Sequence, residues 1–492
     1  MEDGELLLRV YARFGPAGLR DADGMFLLAI AAGDDLVVVR DHVGTRTAFY
    51  GRVDHAQGGG GWAVSTSLKA LRLRLRTGLN LAAVRSFLTF AYLPGEETLL
   101  TGVSEALPGR VLHLRPDGTS RVESFWEPAE LVDPDQDHPA RLRELLERAT
   151  ARRLPAAEAV GVLLSGGIDS SLVTALAAKL HDHEVRTYSI SFGSDLPNEL
   201  AYSGLVATHC HTRHRVLDVS GAAVAARLAE TVALLDSPVG DPLTVPNLML
   251  AEAAAGDGLR VVLNGEGGDP VFGGPKNLPM LLYELHRDDP SPSARAQAYL
   301  ASYRKCGDDL LSLLTPDALA ALADAPSPSR FVTPYLSTMD SLLNQLLHCN
   351  LRTKGAHHIL TKVERLTASR GLHGRSPLFD RAVIDHAFTV PPRLKLAGTS
   401  EKWVLKEAVR DLLPGTIVDR PKSGMRVPVQ RWLSGPLRSL TGDVLLSGRG
   451  RGLFNPRTVR SWLRRDGALL PRQGGKVWLV LTLELWLRAH HL

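Results

Sequence analysis

Residues 161–171 read GVLLSGGIDSS, an apolar run that stops abruptly in two glycines, an aspartate and three serines. Val162, Leu163 and Leu164 have the character of the end of a buried parallel strand, and the following LVTALAAKL reads as a helix. A strand, a tight loop and a helix in that order commit the chain to an open α/β sheet. Two glycines let the backbone approach an anion closely, and a helix N-terminus presents unpaired N–H groups and a positive dipole end to it. Ser165, Ser170 and Ser171 add hydroxyl donors, and Asp169 has the chemistry to ligate a magnesium ion that bridges phosphates. The string points to nucleotide binding through phosphate. It lacks the GxxxxGK(S/T) spacing of the other common phosphate loop.

The rest of the chain repeats the rhythm. ARLRELLERATARRL reads as an amphipathic helix, and after the glycine loop come strand RTYSISF, helix NELAYSGLVATH, helical AETVALL and LMLAEAAA, and strand LRVVLNG. The alternation predicts a doubly wound, mostly parallel sheet, with ligands at the carboxyl ends of its strands. From about residue 280 the pattern is mainly helical. Residues 1–128 instead hold short β-like runs, MFLLAI, DLVVVR, GWAVST and RVLHLR, separated by glycine-rich turns such as GGGG at 58–61. The polar, proline-bearing stretch 127–139 reads as a linker. A length of 492 residues accommodates two domains, taken as 1–128 and 138–492.

A second apolar strand runs into glycines at 263–274, LNGEGGDPVFGG. Its position near the first strand would bring Glu266 and Asp269 to the same pocket as Asp169. Two acidic groups from separate loops around one phosphate chain make a magnesium site. The 57 basic and 53 acidic residues leave a net charge of +4, too even to imply nucleic acid. Cys210, Cys306 and Cys349 form no CxxC pair, which argues against a disulfide framework or zinc site and suits a cytoplasmic chain. No apolar stretch has transmembrane length, and MEDGELLLR is no signal peptide.

SGGIDSS followed about a hundred residues later by GEGGDPVFGG resembles the synthetase domain of the asparagine synthetase family, within the N-type ATP pyrophosphatases. DSPVGDPLTVPN (236–247), VERLTASRGLHGRSPLFD (363–380), EKWVLKEAVRDLLP (401–414) and DRPKSGMRVPVQRW (419–432) match further family elements in the same order. The resemblance spans most of 138–492 and includes β-lactam synthetases and lasso-peptide cyclases. It implies adenylation of a carboxylate by ATP, with Mg2+ as cofactor, and capture of the acyl-adenylate by an amine or ammonia. By resemblance, Ser165, Gly166, Gly167, Asp169, Ser170 and Ser171 hold the pyrophosphate, and Asp169 and Asp269 ligate the metal. Leu164 and Phe192 would contact adenine, with Gly265 near the nucleotide. Lys402 would contact phosphate and Lys422 stabilise the acylation transition state. Glu266 stands where β-lactam synthetases carry tyrosine, and would deprotonate an incoming amine or ammonia.

GMFLLAI (24–30), VVVRDHVGTRTAFYG (37–51) and ALPGRVLHL (106–114) are similar to the later half of the family's glutaminase domain. The family's nucleophilic cysteine follows the initiator methionine, whereas residue 2 is Glu2, so a degenerate glutaminase remnant without activity is expected. Nitrogen would then come from ammonia, an amine or a partner glutaminase; a start placed too late would instead restore an ordinary asparagine synthase. Pro270, His373 and the 241–246 segment depart from the family pattern and are read as bordering the acceptor pocket. That favours a small-molecule or peptide carboxylate in specialised metabolism over aspartate. The resemblance is compatible with a homodimer, and no membrane or nucleic-acid partner is expected. RGRG (449–452) and RRDG (464–467) read as a solvated face. A silent nucleotide-binding regulator remains an alternative, disfavoured by the intact Asp169, Asp269, Glu266, Lys402 and Lys422; so does a tRNA-modifying enzyme.

Overall fold

A computed structural model of the protein describes residues 3–54, 60–75, 77–193, 199–274, 277–286, 289, 291–303, 305–398, 400–421, 424–446, 452–464 and 475–492. In the first quarter of the chain the four apolar runs fall in strands β1 (Leu27–Ala32), β2 (Asp35–Arg40), β4 (Gly60–Ser65) and β6 (Arg110–Leu114), joined by three that the sequence did not mark, β3 (Phe49–Asp54), β5 (Val103–Glu105) and β7 (Ser120–Ser124). They form two antiparallel sheets, β1-β2-β6-β7 and β4-β3-β5. Val38, Leu112 and Leu114 of one sheet pack with Tyr50, Trp62 and Val64 of the other, so the sheets lie face to face. A helix at Asp3–Gly18, not anticipated from the sequence, rests Leu7, Val10 and Tyr11 on the neighbouring core. The glycine run at 58–61 lies partly outside the described residues.

Five further strands, β8 (Val160–Leu163), β9 (Val185–Ser191), β10 (Arg213–Asp218), β11 (Val261–Asn264) and β12 (His373–Arg375), make one parallel sheet in the order β10-β9-β8-β11-β12. This is the predicted α/β, doubly wound arrangement. Successive side chains point to opposite faces: Val160, Val162 and Leu263 join the core shared with helices α1 (His138–Ala151) and α2 (Ile168–Leu180), while Tyr188, Ile190 and Val262 join the core on the other side. That second core includes Val245, Leu250 and Ala254 of α3 (Thr244–Gly256) and Trp478, Leu483 and Trp486 of the last helix, Gly475–Ala489. β8 and β11 are hydrogen-bonded neighbours, and the next strand of the sheet after each, β9 and β12, lies on opposite sides of the pair, a switch point of the kind where α/β sheets bind ligands. Among the described residues no helix is long and apolar enough to cross a membrane.

The two regions are fastened by buried polar contacts. Glu105 of β5 accepts from Arg40 at 2.7 Å and contacts His357 Nδ1 at 3.1 Å. Arg352 donates to Glu127 and to the carbonyls of His42, Pro108 and Trp126, and lies over the Trp126 ring. The stretch 127–139 is therefore anchored rather than free: Glu130 also caps the helix Leu342–Asn350 through Ser341 and Asn344, and Asp133 N donates to Thr389 O. Arg352 and His357 sit on a π-helix, Leu351–Leu360, an uncommon form concentrated at functional sites. The basic segments 449–452 and 464–467 lie largely outside the described residues.

Arg40 and Glu105 are 0% and 2% exposed, so removing one partner strands the other in a dry interface. Glu105→Ala is expected to cost about 3–5 kcal/mol, read as a lowered urea midpoint with both regions' unfolding monitored. A loss below about 1 kcal/mol would mean the pair is solvated.

Candidate active site

The first glycine loop leaves β8 at the switch point. Gly166 takes φ +80°, a left-handed conformation, and a Cβ there would meet Ser203 N at 2.7 Å, so only glycine fits. Gly167 is the N-cap of α2 and supplies no side-chain cap, so the helix presents its first N–H groups openly. Ser165 and Ser170 brace the loop: their hydroxyls lie 3.0 Å apart, and Ser165 N donates to Ser170 Oγ. Ser171 is fully enclosed, its Oγ without a hydrogen-bond partner. Leu164 and Phe192 line a cleft of about 210 Å³ together with Ser165, Ser189, Glu199, Ser203 and the 424–426 stretch.

The second loop leaves β11 beside the first. A Cβ on Gly265 would lie 2.4 Å from Ser170 N, and one on Gly268 would lie 2.1 Å from Asp169 Oδ1. Glycine at both positions brings Asp169 and Asp269 to one point. The Lys402 ammonium occupies that point, 2.8 and 2.5 Å from the two Asp169 oxygens and 2.6 Å from Asp269 Oδ1. Two carboxylates converging within bonding distance of a single cation fit a divalent-ion site of the hard, oxygen-liganded kind. Among the described residues no set of three His, Cys, Asp or Glu side chains is placed to hold a metal. A six-coordinate ion here therefore needs phosphate oxygens and water for its remaining positions.

Four residues that the sequence reading missed complete the rim. Arg420 donates to Gly166 O at 3.0 Å, pairs with Glu199 and lies 3.8 Å over the Tyr202 ring. Lys406, buried beside Lys402, reaches toward Arg420 O. Arg420 stands two positions before Lys422 in the RPKSG motif, the one signal that pointed there. Lys422 itself lies outside the described residues.

Glu266 N donates to Asn264 Oδ1, which also accepts from Ser376. Near it Lys362 donates to Asp241 at 2.6 Å. Burial works to lower the Lys362 pKa, but the Asp241 and Glu266 carboxylates outweigh it and raise it. His358 stacks on Tyr92 with ring centroids 5.4 Å apart. Of the departures expected to border the acceptor pocket, Asp241 lies in this cluster. His373 does not: it pairs with Val261 at the entry end of the strands, three positions upstream of the level of Asn264. Pro270 occupies the first turn of the helix Gly268–Phe272, where no intrahelical N–H is required.

The family model for asparagine synthase matches residues 141–488, and that for a glutamine amidotransferase domain matches residues 1–126. The chain belongs to the asparagine synthase family. It is an ATP-dependent carbon–nitrogen ligase. Among its relatives, a Mycobacterium tuberculosis protein provisionally named as a glutamine-hydrolysing asparagine synthetase is 27% identical over 98% of this chain and 79% of its own length. Asparagine synthetase (glutamine-hydrolyzing) 1 of Bacillus subtilis is 24% identical over 98% of this chain and 80% of its own. Carboxyethyl-arginine beta-lactam-synthase of Streptomyces clavuligerus is 28% identical over 86% and 68%.

In this asparagine synthase family chain the contact of Gly265 with Ser170 is backbone against backbone, so a neighbouring rotamer cannot relieve a clash. Gly265→Ala is expected to push the two loops apart and cut ATP affinity by about tenfold or more, with the far-ultraviolet circular dichroism unchanged. Unaltered binding by calorimetry would show that the loops need not touch.

Proposed function

We propose that this ligase adenylates a small-molecule or peptide carboxylate and passes the acyl group to an amine or ammonia. The observation that carries the reading is the convergence of Asp169, Asp269 and Lys402 at the mouth of two glycine loops on a sheet switch point. An unactivated carboxylate is a poor electrophile; attack on the α-phosphorus of ATP gives an acyl-adenylate and pyrophosphate, and the amine then displaces AMP. In this reading Leu164 and Phe192 receive the adenine, with Gly265 against the nucleotide. The 165–171 loop and the open end of α2 hold the departing pyrophosphate, with Ser165, Gly166, Gly167, Ser170 and Ser171 around it. Asp169 and Asp269 hold Mg2+, which supplies charge neutralisation of the phosphates. Lys402 and Arg420 add positive charge to the same chain of phosphates, and Lys422 acts on the acyl-adenylate as the amine attacks. Glu266 takes the amine proton.

Two further features support the finer reading. Lys362 beside Glu266 is already paired with Asp241, so a second substrate carboxylate such as that of aspartate would compete with a buried ion pair. No thiol of residues 1–492 suits glutamine hydrolysis either. No cysteine precedes Cys210, whose pKa burial pushes up to about 11; burial pushes Cys306 and Cys349 up to about 12. Such thiols stay protonated and inert at neutral pH.

With its acceptor pair the protein is expected to make AMP and pyrophosphate, and ADP by phosphorus NMR would overturn the assignment. Asp169→Asn and Asp269→Asn are each expected to slow acceptor-dependent ATP–pyrophosphate exchange by on the order of 10²-fold or more. Exchange at the wild-type rate in both would remove the metal assignment. Purified 1–492 is expected to release no glutamate from glutamine, and enzymatic glutamate detection checks this directly.

A further inference from the structure

Lys402 is built into its place more firmly than a phosphate-seeking side chain requires. It is 0% exposed, and its backbone takes φ +56°, a left-handed conformation that strains a non-glycine residue. The short hairpin of Leu396–Ala397 with Ser400–Glu401 delivers it, and Lys406 N donates to its carbonyl to start the helix Trp403–Ala408. All three of its short contacts are to the two carboxylates of the metal reading, Asp169 at 2.5 and 2.8 Å and Asp269 at 2.6 Å. Two carboxylates held together by glycine-enforced loop contact repel each other unless a cation stands between them. Among the described residues no third His, Cys, Asp or Glu side chain is placed to complete a metal site with them, and a bare divalent ion would have to expel an ammonium already making both contacts.

We propose that Lys402 is the resident counter-ion of the metal site, excluding a free divalent cation until nucleotide phosphates arrive. The phosphates then supply the missing oxygen ligands and a new anionic partner for the displaced ammonium, so metal and nucleotide enter together. This rests on the assignment of Asp169 and Asp269 as metal ligands. It adds that the lysine competes with the metal at the same oxygens, and moves from carboxylates to phosphate when the site fills. No bond is made or broken; one cation replaces another.

The test is nucleotide-free binding of Mn2+ to the full chain, followed by electron paramagnetic resonance of the unbound ion. Wild type is expected to bind no stoichiometric Mn2+, whereas Lys402→Met is expected to bind one equivalent at least about tenfold more tightly. Asp269→Asn added to Lys402→Met is expected to abolish the gain. Lys402→Arg, which keeps the charge, is expected to behave as wild type. One equivalent bound by wild type as tightly as by Lys402→Met would overturn the inference, as would a Lys402→Met variant that folds and gains nothing. Should Lys402→Met fail to fold, the wild-type arm decides: a stoichiometric Mn2+ site without nucleotide overturns the proposal. In that case, absence of such a site, with Mn2+ bound once α,β-methylene-ATP is added, supports it. Failure of the metal assignment itself reads differently, as unchanged pyrophosphate exchange in Asp269→Asn.

Discussion

The close approach of two backbones at the switch point governs the rest of the site. Gly265 lies against the Asp169–Ser170 peptide so tightly that no Cβ can enter, and Gly268 faces the Asp169 carboxylate with the same lack of space. That contact makes Asp169 and Asp269 neighbours although a hundred residues separate them. Their proximity demands a cation, and the cation comes from a hairpin 233 residues beyond Asp169. The mainly helical C-terminal part is thus bound to the sheet by charge as well as by packing. Its position follows from a steric fact about two glycines.

Much of this was legible from pattern alone. β8 and β11 are buried apolar runs that lead into glycine loops, and those two loops pointed to the adjacency of Asp169 and Asp269. The strands missed were those without such a pattern. β10, RHRVLD, is an edge strand with alternate charged and exposed residues, and β12 is only three residues long. Arg420 and Glu199 escaped notice because a pair 221 residues apart leaves no periodicity. The 127–139 stretch read as a linker because proline and acidic residues there look solvated. Glu127 and Glu130 are instead the anchors, and apart from Arg110 the side chains that bond them, Arg352, His348, Ser341 and Asn344, lie more than 200 positions away.

Near Glu266, Lys362 is bonded to Asp241, whereas neither ring nitrogen of the buried His358 has a hydrogen-bond partner among the described residues. Although burial alone would raise it, the Asp241 carboxyl is held well below its ordinary range by Lys362 and His358. Desolvation conversely lowers His358 to about 4, so near neutral pH the stacked imidazole is uncharged. The cluster then holds one ammonium, Lys362, facing two carboxylates, Asp241 and Glu266, beside a neutral ring. In the proposed reaction, a second substrate carboxylate drawn to Lys362 would compete with Asp241 and Glu266.

The N-terminal sandwich is held to the synthetase side in the same terms. Arg352 takes its partners from Glu127 and from the His42, Pro108 and Trp126 carbonyls, and His357 takes Glu105. Glu364 accepts from Thr47 N and Oγ1. Each of these synthetase-side groups is nine-tenths or more buried and polar, and deletion of the sandwich would leave them without the bonds that offset their desolvation. The π-helix that carries Arg352, His357 and His358 also brings His358 onto Tyr92 and beside Asp241. The sandwich is therefore a wall that fixes this helix, and with it the position of His358 beside Asp241.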